Sequence, residues 1–103
     1  DEGSKRLGEI ALIPYHSPIN ELKTLFYNTL YDENASCHMA LGIGFSECIK
    51  GGIDMNKEEL FKKGVNDSLV HVDFMMGTED LLIDGILEDG SHVKIFENGN
   101  FVF

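Results

Sequence analysis

An α+β fold, mostly antiparallel sheet with a C-terminal β-meander and two helices, is predicted by three features of the 103-residue sequence. Short apolar runs bounded by proline and glycine read as strands. One segment carries a complete set of helix start and stop residues. Near the C-terminus, Asp89-Gly90 and Asn98-Gly99 are two-residue turn signals of the kind that close hairpins. Strands that run together beside separate helices, without regular alternation, favour α+β over a parallel α/β architecture.

Residues 8–14, Gly-Glu-Ile-Ala-Leu-Ile-Pro, form a short apolar run stopped by proline, which suits a buried strand whose only charge is Glu9. Residues 24–31 are rich in β-branched and aromatic side chains and read as a second strand or an extended approach. Asp32, Glu33 and Asn34 then suit a helix N-terminus, and the pairs Ala35/Met39 and Cys37/Leu41 fall at i, i+4 spacing. A helix from about residue 34 follows from that spacing, with Gly42, Gly44 and Gly51-Gly52 punctuating its far end. Asn56 with Glu59 resembles a capping box, Met55 and Leu60 are placed as its hydrophobic staple, and Gly64 sits at the C-terminal stop. Residues 70–75 read as a strand. Beyond Leu81, strands near 81–87, 91–96 and 100–103 make a meander joined by type I′ turns. There is no repeat or linker, and residues 1–103 read as one domain with a single core.

Eighteen acidic residues against eight basic ones give a formal net charge of -10, which repels nucleic-acid phosphates and anionic lipid headgroups. Neither nucleic acid nor membrane is therefore an expected partner. Clustered carboxylates instead attract divalent cations or the free ammonium group of a peptide. No apolar run approaches the roughly 18 residues of a membrane-spanning helix, and no basic-then-apolar leader is seen. Cys37 and Cys48 lack a CxxC spacing and are too few for a disulfide scaffold, so a reducing, cytoplasmic setting is expected. The opening Asp-Glu-Gly-Ser-Lys-Arg, without an initiator methionine, reads as the middle of a longer protein.

Three groups of residues carry candidate chemistry. In His71-Val-Asp73 the imidazole and the carboxylate lie two apart on a strand and share a face, so both can grip one ion. The competing reading is a solvated strand face. Glu33 and His38 converge on one ion only if Glu33 lies in the first turn of the helix or before it. A glutamate near a helix N-terminus is also stabilised by the helix dipole alone, and a histidine can satisfy itself in a core. A buried Glu9 calls for a cation facing its carboxylate, and that cation is a metal or a basic side chain. His16 and His92 fall in loop and hairpin positions and read as surface residues. No nucleophile elbow, phosphate loop or dinucleotide fingerprint occurs; Gly42-Ile-Gly44 lacks the third glycine and the preceding strand.

Three stretches carry a family resemblance: Lys-Arg-Leu-Gly-Glu-Ile-Ala-Leu-Ile-Pro (5–14), Phe-Tyr-Asn-Thr-Leu-Tyr-Asp-Glu-Asn-Ala-Ser-Cys-His (26–38) and His-Val-Asp-Phe-Met-Met-Gly (71–77). Together, in this order, they resemble the closing segments of the thermophilic metallo-aminopeptidases, the group of aminopeptidase T, aminopeptidase S and PepS. The resemblance implies the C-terminal part of the catalytic domain of a two-domain, dimeric enzyme. It implies removal of N-terminal residues from peptides through a water activated by two divalent ions, with zinc, cobalt or manganese as the metal. By it Glu9 is a metal ligand, the bridging one, and Glu33, His38, His71 and Asp73 complete much of the ligand set. The family's tyrosine seven residues after the helix histidine is replaced here by Phe45, so no hydroxyl stands at that position. A further glutamate ligand and an N-terminal domain belong to upstream segments in the family, so the 103 residues alone are expected to bind metal weakly and to be inactive. The rival reading is a non-catalytic acidic binding or dimer-assembly domain in which the same five residues are ordinary polar positions.

Overall fold

The computed structural model describes residues 1–102, leaving aside the side chains of residues 29 and 30. Among the described residues, six strands form two three-stranded sheets of order β1-β2-β3 and β4-β5-β6, and short helical segments occur in the connections along the chain. The chain divides into two compact units, Asp1–Ala11 with Met39–Phe74 and Leu12–His38 with the residues from Met75 onward.

The first unit is built on β1 (Leu7–Ala11), on β2 (His38–Gly42) from Met39 and on β3 (His71–Met75) as far as Phe74. Gly42 N donates to Arg6 O and Ile43 N to Val70 O, so the end of β2 lies beside the starts of β1 and β3, the antiparallel arrangement. Ala40, in the middle strand, is wholly buried. Asn66 is buried and uses its amide to donate to both Gly3 O and Gly42 O, at 2.8 and 2.7 Å, which clips the N-terminal segment to β2. The Asp1 carboxylate accepts from Ser4 N, Ser68 Oγ and Leu69 N in the same way.

The helix expected at residues 56–63 is present over Lys57–Lys62. The Asn56 side chain caps it by accepting from Glu59 N at 2.9 Å. At its far end Gly64 N donates to Phe61 O and Val65 N to Leu60 O, the paired hydrogen bonds of a Schellman stop, with Gly64 at φ +89°.

The second unit holds two short α-helices and the meander. α1 (Pro18–Glu21) starts from Ser17, whose hydroxyl accepts from Asn20 N, with proline in its first turn. The strand expected over residues 24–31 is not formed. Asp32 instead accepts from Phe26 N and Asn28 N, folding the segment back on α2 (Thr29–Asp32). A short carboxylate that bonds nearby amides outcompetes a sheet ladder there.

The helix expected from residue 34 is also corrected: a 3₁₀ turn covers Glu33–Ala35, and β2 begins at His38. Spacing of i, i+4 marks one face of a helix, but four is also twice the period of a strand, so the pairs 35/39 and 37/41 fit both. Burial along His38–Gly42 alternates strictly, the strand period.

The meander matches its expectation with small differences. β4 (Ile83–Ile86) pairs antiparallel with β5 (His92–Glu97), which pairs with β6 (Asn100–Phe101). Phe103, the last residue of the expected third strand, lies outside the described residues. Asn98 and Gly99 both have positive φ, 51° and 74°, as a type I′ turn requires. The Asp89-Gly90 turn is not type I′, because only Gly90 has positive φ. Gly90 N donates to Leu87 O and Leu87 N to Ser91 O, giving a three-residue loop that ends on a left-handed glycine. Phe96 is fully buried and meets Phe101 edge-on at 4.4 Å. Among the described residues no helix is long and apolar enough to cross a membrane.

Candidate metal centre

Glu9, His71 and Asp73 are brought together within the first unit. Glu9 stands at the middle of β1, and His71 and Asp73 lie two apart on β3, so strand alternation puts the last two on one face. His71 Nε2 lies 3.0 Å from Glu9 Oε2 and 3.3 Å from Asp73 Oδ1, with all three side chains largely buried. The other ring nitrogen is fixed: His71 Nδ1–H donates to Ile43 O at 2.8 Å. A carbonyl only accepts, so the proton sits on Nδ1 and, in the neutral ring, the lone pair of Nε2 faces the two carboxylates.

That carbonyl is available because β2 ends in an unusual way. Gly42 has φ +110°, and a side chain there would run into Val70 O, 2.0 Å from its Cβ position. Only glycine allows β2 and β3 to approach so closely while Ile43 turns its carbonyl to His71. Phe45 then packs edge-on to His71 at 5.3 Å between ring centroids and restrains the ring from the side.

Asp73 Oδ1 is buried and makes no hydrogen bond, although it lies near His71 Nε2. A buried carboxylate oxygen without a donor costs free energy unless a cation faces it. Protonation of His71 supplies one such cation, and its pKa is raised. Burial is the largest single effect and pulls that pKa down. The Ile43 hydrogen bond, the charges of Asp73 and Glu9 and the hydrogen bond to Glu9 outweigh it together.

A divalent metal is the other cation that fits. Ligands held about 2.0–2.2 Å from one tetrahedral ion stand roughly 3.4 Å apart, close to the 3.0 and 3.3 Å found between the imidazole and its two carboxylates. One nitrogen with two carboxylates is a donor set for zinc, cobalt or manganese.

Glu33 and His38 belong to the second unit. Glu33 opens the 3₁₀ turn and is half-buried. His38 is 2% exposed and donates Nδ1–H to Ser36 O at 3.0 Å, which gives it the same tautomer as His71. Beside it, the buried Cys37 accepts from Ile13 N and donates to Ile13 O through Sγ. His16 and His92 are exposed beside Glu21 and Asp84, as expected of surface positions. Sequence reasoning did not foresee the Ile43 carbonyl, since a backbone oxygen has no residue signature. The glycine at position 42, next to an apolar strand, was the available hint.

A strand-borne cluster of one oriented imidazole and two carboxylates, on an α+β fold, has the donors a metal centre requires. A family model described as thermophilic metalloprotease (M29) matches residues 1–101, and the chain belongs to that family. It is similar to Aminopeptidase 2 of Geobacillus stearothermophilus, 54% identical over the whole chain and 25% of that protein. It is similar also to aminopeptidase AmpS of Bacillus subtilis (strain 168), 56% identical over the whole chain and 25% of that protein. Aminopeptidase T of Thermus aquaticus is 44% identical over 99% of the chain and 24% of its own length. Among solved structures, wild-type AmpT from Thermus thermophilus superposes with a TM-score of 0.86 at 44% identity, covering all of this chain and 25% of that one. The chain thus spans about a quarter of the length of the relatives it matches.

Proposed function

We propose that the protein containing this chain is a metal-dependent aminopeptidase, a hydrolase that removes N-terminal residues from peptides, and that Glu9, Glu33, His38, His71 and Asp73 are metal ligands. The observation that carries this reading is the convergence of His71 Nε2 with Glu9 and Asp73, in a chain whose relatives bear the name aminopeptidase. When bound, two divalent ions (zinc, cobalt or manganese) supply an activated water and polarise the scissile carbonyl.

The chain's own residues prepare that chemistry. The Ile43 carbonyl holds the His71 proton on Nδ1 and so keeps Nε2 for coordination. Ser36 O does the same for His38. Glu9 and Asp73 supply negative charge at His71, and the net charge of -10 draws the free ammonium group of a peptide toward the protein.

The reading extends to a cytoplasmic homodimer, and to an isolated 103-residue piece that binds metal weakly and does not turn over. The full-length protein tests the assignment through hydrolysis of aminoacyl p-nitroanilides before and after chelation, with metal uptake by calorimetry. Chelation is expected to abolish hydrolysis and zinc or cobalt to restore it, while Glu9→Gln and His71→Ala lose metal uptake. Hydrolysis that survives exhaustive chelation overturns the proposal.

A further inference from the structure

Beside the cluster, in the same unit, lies a cleft of about 270 Å³ whose walls include Glu9, Ile10, Phe45, Cys48, Ile49 and Val65. That volume falls just below the roughly 300–1,000 Å³ of pockets for drug-sized ligands and leaves room for one amino-acid side chain. Its lining is mostly apolar, with Glu9 as its one carboxylate and no lysine or arginine. Gly44 keeps it open: a Cβ there would stand 3.3 Å from Val65 Cγ1 and 2.9 Å from Gly8 O.

The cleft shares two walls with the metal cluster. Glu9 lines it and contacts His71 Nε2, and Phe45 lines it while packing edge-on to the His71 ring. Aminopeptidase action fixes what must lie there. The side chain of the substrate's first residue branches from the carbon between the free ammonium group and the scissile carbonyl, so it lodges within a few ångströms of the reacting centre. We infer that this cleft is the specificity pocket for the N-terminal residue of the substrate and that it selects apolar side chains. The inference rests on the aminopeptidase reading above. An acidic side chain finds no cation in the walls, and the one carboxylate that would meet a basic side chain is committed to His71.

Full-length protein assayed with leucyl, phenylalanyl, alanyl, glutamyl and lysyl p-nitroanilides tests it. Leucyl or phenylalanyl substrate is expected to lead in kcat/KM. Val65→Phe, which fills the cleft, is expected to lower the leucyl-to-alanyl ratio about tenfold, the discrimination a methylene or two carries in an apolar pocket. Ile49→Ala is expected to raise the phenylalanyl-to-leucyl ratio. An active enzyme that prefers glutamyl or lysyl substrate, or whose ratios neither variant moves, overturns the pocket while leaving the aminopeptidase reading intact. Absence of hydrolysis with every substrate and metal overturns both.

If the variants do not fold, the wild-type protein decides. The exposed thiol of Cys48 is followed by peptide mapping during reaction with a maleimide. Leucinamide is expected to slow its modification and glutamate α-amide to leave it unchanged; equal rates overturn the inference.

Discussion

Replacing Asp73 with asparagine in the full-length protein should have opposite effects on stability with and without metal. A carboxylate oxygen of Glu9 lies within 4.8 Å of one of Asp73. Two like charges at that distance repel by about 3.5 kcal/mol at an effective dielectric constant near 20. Partial exposure of both side chains, 21% for Glu9 and 16% for Asp73, reduces this to about 1–2 kcal/mol. At alkaline pH and without metal His71 is neutral and no longer offsets the repulsion, and Asp73→Asn should stabilise by up to that amount. At mildly acid pH His71 is protonated 3.3 Å from Asp73 Oδ1, and the substitution should cost stability by removing that partner. With saturating zinc the sign is negative throughout. Loss of a ligand weakens affinity at least tenfold, which removes about 1.4 kcal/mol or more of linked stabilisation. Urea unfolding of wild type and variant at two pH values, with chelator and with zinc, reads all of these arms. A variant destabilised equally under every condition would refute the reasoning, for Asp73 would then be a structural residue indifferent to the charge facing it.

Four other expectations follow from the same geometry. His71 has a raised folded-state pKa, so its stabilising contribution in metal-free protein is complete below its unfolded value of about 6.5 and is lost as pH rises through the raised value; His71→Gln should flatten that part of the stability profile. On the proposal that the same nitrogen serves proton and metal, calorimetry in buffers of different ionisation enthalpy should detect proton release on zinc binding, and affinity should fall as pH drops through the raised His71 pKa. Gly64→Ala meets nothing within 4 Å but holds φ +89°, so its cost is purely conformational, about 1 kcal/mol by urea midpoint. Asn56→Ala removes the cap on Glu59 N and should cost about 1 kcal/mol in the same measurement.

What the sequence made legible was decided by how local each signal is. Asn56, Glu59 and Gly64 act within one helix, so their side-chain chemistry fixed its start and stop without help from the rest of the chain. Asn98-Gly99 did the same for a two-residue turn, whereas Asp89-Gly90 closes a loop one residue longer that the dipeptide cannot reveal. Residues 34–42 failed because their spacing satisfies a helix and a strand equally. The tie is broken by sheet pairing: Gly42 N bonds to Arg6 O and Ile43 N to Val70 O, contacts more than twenty residues distant in sequence.

The ligand candidates show the same division. His71 and Asp73 were readable as a pair because strand geometry alone puts them on one face. Glu9 was readable only as an anomaly, a lone acid in an apolar run. What turns anomaly and pair into one cluster is the order β1-β2-β3, with β2 between the strands that carry them. A glycine ends β2 tightly enough for the Ile43 carbonyl to hold the imidazole. Sequence thus named the side chains that cluster, while the carbonyl that aims the imidazole and the cleft beside it arise from backbone placement and have no residue type of their own.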